Sequence, residues 1–202
     1  VGVLALGLGA CAGAPQGDSI PIHDFDPSFS SAMCASAGWD RAKLDDLKAA
    51  KFEIADNEAR QAFAKAITAC LASPDPELRD KIAFEALTHM LRGRQLSAPT
   101  QKALLADLVA RLDAPAGQGF VQPFAALALS EVARADRVEA FLTEDELIKL
   151  LVDAQHWFIN VSDYRGYDAA EGWRHGVAHG ADLLMQLALN PRIDAEGLRV
   201  IV

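Results

Sequence analysis

The stretch ACLASPDPELRDKIAFEAL, Ala69 to Leu87, decides the fold. Cys70 and Leu71 close an apolar helical pattern that contains Phe63 and Ile67. Ser73-Pro74-Asp75-Pro76 then breaks it. Asp75 is placed to cap a new helix, and Pro76 suits its first turn, where a missing N–H costs nothing. Ile82, Leu87 and Leu91 return at helical spacing, and Gly93 stops the run. The unit is helix, tight turn, helix.

The same grammar continues in both directions. Upstream, Asp40 to about Ile54 reads as a first helix with Leu44 and Leu47 on one side. Asp56 to Ala72 is the second. Downstream, Ser97 and Pro99 open a fourth helix ending near Leu112, and Pro115, Gly117 and Gly119 break the chain. A fifth covers about Val121 to Ala135. Thr143 and Glu146 form a capping box for a sixth, running to about Phe158. Asp168 and Glu171 make a second box, which predicts a long seventh helix to Leu189. Asn190-Pro191 ends it, and Asp194 to Val202 reads as an eighth. Ala and Leu dominate, β-branched residues are sparse after residue 40, and no convincing period-2 segment occurs. The chain is predicted to be all-α.

Short turns between antiparallel helices allow a closed α-helical bundle or an α-solenoid. Residues 69–87 resemble a HEAT repeat: an apolar helix end, a turn with Asp-Pro, then Arg79 and Asp80. The resemblance favours a HEAT-like solenoid, with the closed bundle as the alternative.

The first residues differ from the rest. Val1 to Ala10, VGVLALGLGA, is too short to span a bilayer, which takes roughly 20 residues. It fits the hydrophobic part of a secretory signal. Leu8-Gly9-Ala10-Cys11 resembles the bacterial lipobox, with Cys11 as the lipidated residue. Residues 1–11 are thus read as signal and lipobox, 12–38 as a Pro- and Gly-rich tether or irregular segment, and 39–202 as the helical-repeat domain. The sequence reads as clipped at both ends. The expected location is the cell envelope on the periplasmic side, lipid-anchored. Ala12 after the Cys favours the outer membrane. The apolar helical pattern around Cys70 favours a plain buried thiol there, and an exported compartment permits a Cys34–Cys70 disulfide as the alternative.

The net charge of −9 across 202 residues, with no Lys/Arg run, argues against nucleic acid as a partner. No phosphate-binding Gly loop, Gly-x-Ser-x-Gly elbow or zinc-spaced Cys pair occurs.

Residues 163–191, DYRGYDAAEGWRHGVAHGADLLMQLALNP, concentrate the candidate functional groups. On a helical wheel Trp173, Val177, Ala181, Leu184 and Ala188 form a predicted core face. His175, His179 and Asp182 form a stripe at i, i+4, i+7 on nearly the opposite side. Gly172, Gly176 and Gly180 make a third row, for close packing of a helix or close approach of a ligand. Two His and a carboxylate on one stripe permit a divalent metal, although the zincin Glu is missing and Gly176 follows His175. An organic or peptide ligand is a further alternative, the favoured reading is a purely structural hydrogen-bonded stripe, and no cofactor is predicted. In the preceding loop, Asp163, Tyr164, Arg165 and Tyr167 suit carboxylate or phosphate binding, or a lock in which Arg165 pairs with Asp182 or Glu171.

Asp163-Tyr164-Arg165-Gly166 followed by GWRHGVAHGADLL (Gly172 to Leu184) is similar to the DxRG loop and GW-x-H-x-x-AH-x-ADLL helix of an uncharacterised bacterial family, domain of unknown function 2785. LRDKIAFEAL (Leu78 to Leu87) and PFAALALSEVARAD (Pro123 to Asp136) are similar to its other blocks. Gln122 departs from the Arg expected there. The resemblance implies the helical fold and no particular reaction. The leading expectation is a non-enzymatic binding or scaffold module, anchored to the membrane by lipid, with a protein or peptide partner. The alternative is a metal-dependent or acid/base enzyme using His175, His179 and Asp182.

Overall fold

The computed structural model describes residues 39–201. The lipobox, the 12–38 segment, Cys34 and Val202 lie outside the described residues. The described chain is mostly helical: α1 (Arg41–Ala49), α2 (Asn57–Ile67) with a 3-10 turn Thr68–Ala72, α3 (76–92), α4 (Ala98–Leu112), α5 (Val121–Val138), α6 (Glu144–Ile159), α7 (Gly176–Ala188) and α8 (Ala195–Ile201). Between α6 and α7 lies a short antiparallel ribbon, β1 (Tyr167–Asp168) with β2 (Gly172–Trp173).

Local chemistry sets the helix starts. Asp40, Asp56, Asp75 and Ser97 each accept a bond from a backbone N–H in the first turn of the helix they precede. Thr143 and Glu146 close a reciprocal box, with bonds of 3.2 and 2.7 Å. Such caps satisfy donors that a helix start leaves without partners, each worth about 1 kcal/mol. Inside α3, Arg79–Phe84 departs from α geometry and is π-helical. Such widened turns occur mostly as local insertions, frequently at functional sites.

Helices pack on their neighbours one and two along the chain. α2, α4, α6 and α8 adjoin in one layer, and α3, α5 and α7 in the other. Across the layers α2 meets α3, α4 meets α5, and α6 meets α7. α5 is the central helix, burying Phe124, Ala125, Ala126, Ala128, Leu129, Val132 and Ala133. Its alanines let helices approach on several sides at once. Phe63, Ile67, Leu71, Ile82 and Leu87, all expected inward from spacing, are at most 1% exposed.

Asp136 ties the end of α5 to the turn after α7. Its Oδ1 accepts from the Phe141 and Leu142 N–H groups, both at 2.9 Å. Its Oδ2 accepts from Asn190 Nδ2 at 3.1 Å and from Arg192. The carboxylate is buried and fully partnered, which is the condition for a buried charge to be tolerated.

Two expectations are corrected here. The seventh helix does not start at Asp168. Asp168 accepts from Ala170 N and Glu171 N, at 2.8 and 2.9 Å, but closes a hairpin turn and not a helix. Gly172 at φ +77° and His175 at φ +54° then keep the backbone out of helical geometry until Gly176. The core face of α7 is also different. Trp173, Val177 and Ala181 are exposed, and the buried residues are Gly176, Gly180, Leu183, Leu184 and Leu187. The glycine row turns inward because it is where a neighbour can come closest. A Cβ on Gly180 would stand 2.4 Å from Phe158 and 2.9 Å from Trp157.

Candidate functional site

The site is built around Arg79, which is 0% exposed. A guanidinium has five N–H donors, and here all five are used. Nε donates to Asp80 Oδ1 at 3.0 Å. Nη1 donates to the carbonyls of Ser73 and Pro74, at 3.0 and 3.2 Å. Nη2 donates to Asp80 Oδ2 at 3.1 Å and to the Glu171 carbonyl at 2.9 Å. The guanidinium also stacks over the rings of Phe120 and Phe124, 4.1 and 4.6 Å from their centroids. Burial lowers the Arg79 pKa and raises that of Asp80, and their mutual attraction opposes both shifts.

The Glu171 carbonyl belongs to the ribbon, so Arg79 pins the ribbon over the start of α3. Gly172 sits at the contact. A Cβ there would stand 3.2 Å from Arg79 Nη2 and 3.3 Å from Pro76, on a backbone at φ +77° that L side chains avoid. Arg174 completes the clamp. It is buried, bonds Glu171 Oε2 at 2.5 Å and the Gln118 carbonyl at 3.3 Å, and stacks on Phe120 at 4.5 Å.

A ladder of rings runs from the ribbon into the core. Tyr167 and Trp173 face each other across the ribbon with centroids 5.0 Å apart. Trp173 lies 3.9 Å from His175, His175 is stacked on His179 at 5.7 Å, and His179 meets Phe124 edge-on at 4.9 Å. Phe124 stands 6.5 Å from Phe120, beneath Arg79.

His175 and His179 are therefore brought together, though not by one helix. His175 is the left-handed residue immediately before α7, and its carbonyl accepts from His179 N at 2.9 Å. His179 Nδ1 lies 3.2 Å from the Pro123 carbonyl, an obligate acceptor, so Nδ1 carries the proton. Burial, with the nearby His175 and Arg79, lowers the His179 pKa to about 4, against the bond to Pro123. At neutral pH the ring is uncharged and Nε2 holds the lone pair, with no hydrogen bond to it from the described residues.

Asp182 does not join them. It is exposed and lines no part of the cleft. Among the described residues, no three His, Cys, Asp or Glu side chains form a group able to hold a metal ion.

The ladder borders a cleft of about 560 Å³ between α3, α5, the ribbon and α7. Asp80, Phe84, Phe124, Trp173, His175 and His179 supply its main groups. Trp173 is 48% and Tyr167 63% exposed.

The candidate loop is divided. Tyr167 lines the cleft, whereas Tyr164 is exposed elsewhere. Arg165 pairs neither with Asp182 nor with Glu171. It bonds Asp163 bidentately, at 2.8 and 2.5 Å, and that bond holds the Asp163 carboxyl below its ordinary pKa. Arg174 forms the lock to Glu171 instead. Sequence reading passed over Arg174 and gave Arg79 and Asp80 no site role; the signal available was Glu171-x-x-Arg174, a spacing at which ion pairs form. Gln122 donates to the Ala114 carbonyl at 2.6 Å, bracing the turn before α5. Cys70 is buried and disulfide-bonded.

Residues 108–202 match the model of a family described as "Protein of unknown function (DUF2785)". The matched span holds α5 to α8, the ribbon and both histidines. No curated protein and no solved structure matches the chain.

Proposed function

We propose that this chain is a lipid-anchored binding module of the cell envelope, built as a HEAT-type helical array, with its ligand site in the cleft beneath Trp173. The carrying observation is that two large aromatic side chains, Trp173 and Tyr167, stand exposed over a cleft bounded by the ribbon that the buried Arg79 holds. Exposed aromatic faces beside a few fixed polar groups are the usual lining of an organic ligand site. Two-layer packing, each helix on its neighbours one and two along, supports the array reading. The lipobox at Leu8–Cys11 supports the anchor, and with it an envelope location.

An apolar row continues from the cleft along α7: Trp173, Val177, Ala181, Met185 and Leu189, all exposed. This row suits a protein or peptide partner better than bulk water.

The enzyme reading is weaker on chemical grounds. A general base works best with a pKa near the operating pH. His179, near 4, is a poor base at neutral pH. Asp80, the other acid in the cleft, is held bidentately by Arg79.

The test is co-purification. Full-length wild-type protein and Trp173→Ala are extracted from membranes in mild detergent, and released small molecules are identified by mass spectrometry. A compound retained by the wild type and lost from Trp173→Ala is expected. Equal retention by both, or retention by neither, would contradict the cleft as the binding site.

A further inference from the structure

We infer that the ligand of this cleft is a neutral, hydroxyl-bearing ring compound of the saccharide class. The inference rests on the cleft being a binding site and deepens that reading.

Charge is the first argument. The cationic and anionic side chains around the cleft are opposed by neighbours. Asp80 is held by Arg79 at 3.0 Å, and Lys81 by Glu85 at 3.7 Å. The two charges on the wall, Asp80 and Lys81, are of opposite sign, so an ionic ligand of either sign meets no net counter-charge in a partly desolvated site. The chain as a whole is strongly acidic, at −9, yet this wall is balanced.

Hydrogen bonding is the second. The wall offers acceptors, and its Lys81, Tyr167 and Trp173 side chains carry donors. Asp80 is a carboxylate whose two oxygens keep lone pairs beyond those used by Arg79. His179 Nε2 is a lone-pair nitrogen, because Nδ1–H is committed to Pro123. The complement must donate as well as accept, which a hydroxyl does with one group. An ammonium group donates too, but it would lie in the field of the Arg79 and Arg174 guanidiniums, both buried directly behind the wall. A hydroxyl donates without that repulsion, and O–H to carboxylate is among the stronger hydrogen bonds.

Shape is the third. Trp173 and Tyr167 stand exposed at the cleft mouth, their rings tilted 59° to each other. A ring compound with a C–H face and a hydroxyl edge matches such an aromatic pair beside polar groups of both kinds. The volume of about 560 Å³ lies within the range of small-molecule sites, ~300–1,000 Å³.

The experiment is calorimetric titration of the full chain in detergent. Two neutral probes, N,N′,N″-triacetylchitotriose and maltotriose, are compared with spermidine as a cation and oligoglutamate as an anion. Saturable binding of a neutral trisaccharide is expected. Trp173→Ala should weaken it at least tenfold, and Tyr167→Ala less, with circular dichroism unchanged, because both side chains are exposed. Failure of both neutral probes, or a saccharide affinity indifferent to Trp173→Ala, would overturn the inference. Spermidine or oligoglutamate binding that depends on Trp173, without saccharide binding, would overturn the saccharide assignment and leave the cleft a binding site. A second arm separates the sources. Co-sedimentation with insoluble cell-wall glycan, released by the soluble trisaccharide, identifies a polymer. Trisaccharide binding without co-sedimentation identifies a free sugar.

Discussion

Arg79 Nη2 donates to the carbonyl of Glu171 at 2.9 Å, joining two residues 92 positions apart. That bond, with the cation–π contacts to Phe120 and Phe124, couples the first turn of α3 to the ribbon that forms one wall of the cleft. Removing one partner of a buried, fully bonded charge costs far more than the pair contributes over an apolar substitute. Arg79→Ala should therefore lower unfolding stability in urea by about 3–5 kcal/mol. It should also raise hydrogen exchange across residues 167–174. A loss under about 1 kcal/mol, the usual size of a surface change, would show that Arg79 does not hold the ribbon.

Gly180 tests what the glycine row is for. In an unpacked helix Gly→Ala adds about 1 kcal/mol of stability. Here the new Cβ would stand 2.4 Å from Phe158 Cδ2 and 2.9 Å from Trp157 Cζ3. Overpacking of that kind costs about 1–3 kcal/mol. Gly180→Ala should lower the thermal midpoint by several degrees. Gly176→Ala is the milder comparison, since its Cβ would come no closer than 3.4 Å. A raised midpoint for Gly180→Ala would mean that α7 does not sit against α6 as described.

His179 sets a pH dependence. Its folded pKa is about 4 against an ordinary 6.5. The unfolded chain therefore takes up this proton first as pH falls. The contribution of neutral His179 to stability is complete above about pH 6.5 and declines down to about pH 4, with nothing more lost below. At 1.36 kcal/mol per unit the loss is at most about 3 kcal/mol, less with partial solvent access. His179→Asn retains a donor toward the Pro123 carbonyl but does not titrate. Its stability, measured by urea unfolding from pH 7.5 to 4.5, should fall less steeply than that of the wild type. Parallel slopes would contradict the buried neutral imidazole. Carboxylates held low by partners, such as Asp163 and Asp168, act at the acid end of the scan in both proteins.

Much of the helical order was legible because it is written in local chemistry. Asp75-Pro76 and the Thr143/Glu146 box mark helix starts wherever they occur, and spacing alone placed Ile82 and Leu87 inward. The ribbon was not legible. Asp168-x-x-Glu171 suits a hairpin turn as well as a helix cap, and the tie is broken by Arg79, remote in sequence. The wheel also assigned Trp173 and Val177 to the core because they are large and apolar. It could not know that the neighbouring helix comes closest where side chains are smallest, at Gly176 and Gly180. The two histidines lie side by side, but a left-handed residue at His175 brings them together, not a shared helical stripe. Asp182 was linked to them by that stripe and falls away with it.

Cys70 is disulfide-bonded and buried. If lipid occupies the Cys11 thiol, Cys34 is the remaining cysteine of the chain able to pair with it. Non-reducing peptide mapping should recover a Cys34–Cys70 linked peptide. Reduction should lower stability by about 3–4 kcal/mol for a loop of this size. A Cys11–Cys70 peptide would contradict both the pairing and the anchor.

The His175–His179 wall is expected to bind an organic ligand and not a metal. Elemental analysis of purified full-length protein, paired with thermal unfolding before and after chelation, tests it most directly. No stoichiometric metal and an unchanged midpoint are expected. Stoichiometric zinc or iron that disappears in a His175→Ala/His179→Ala double variant would contradict it.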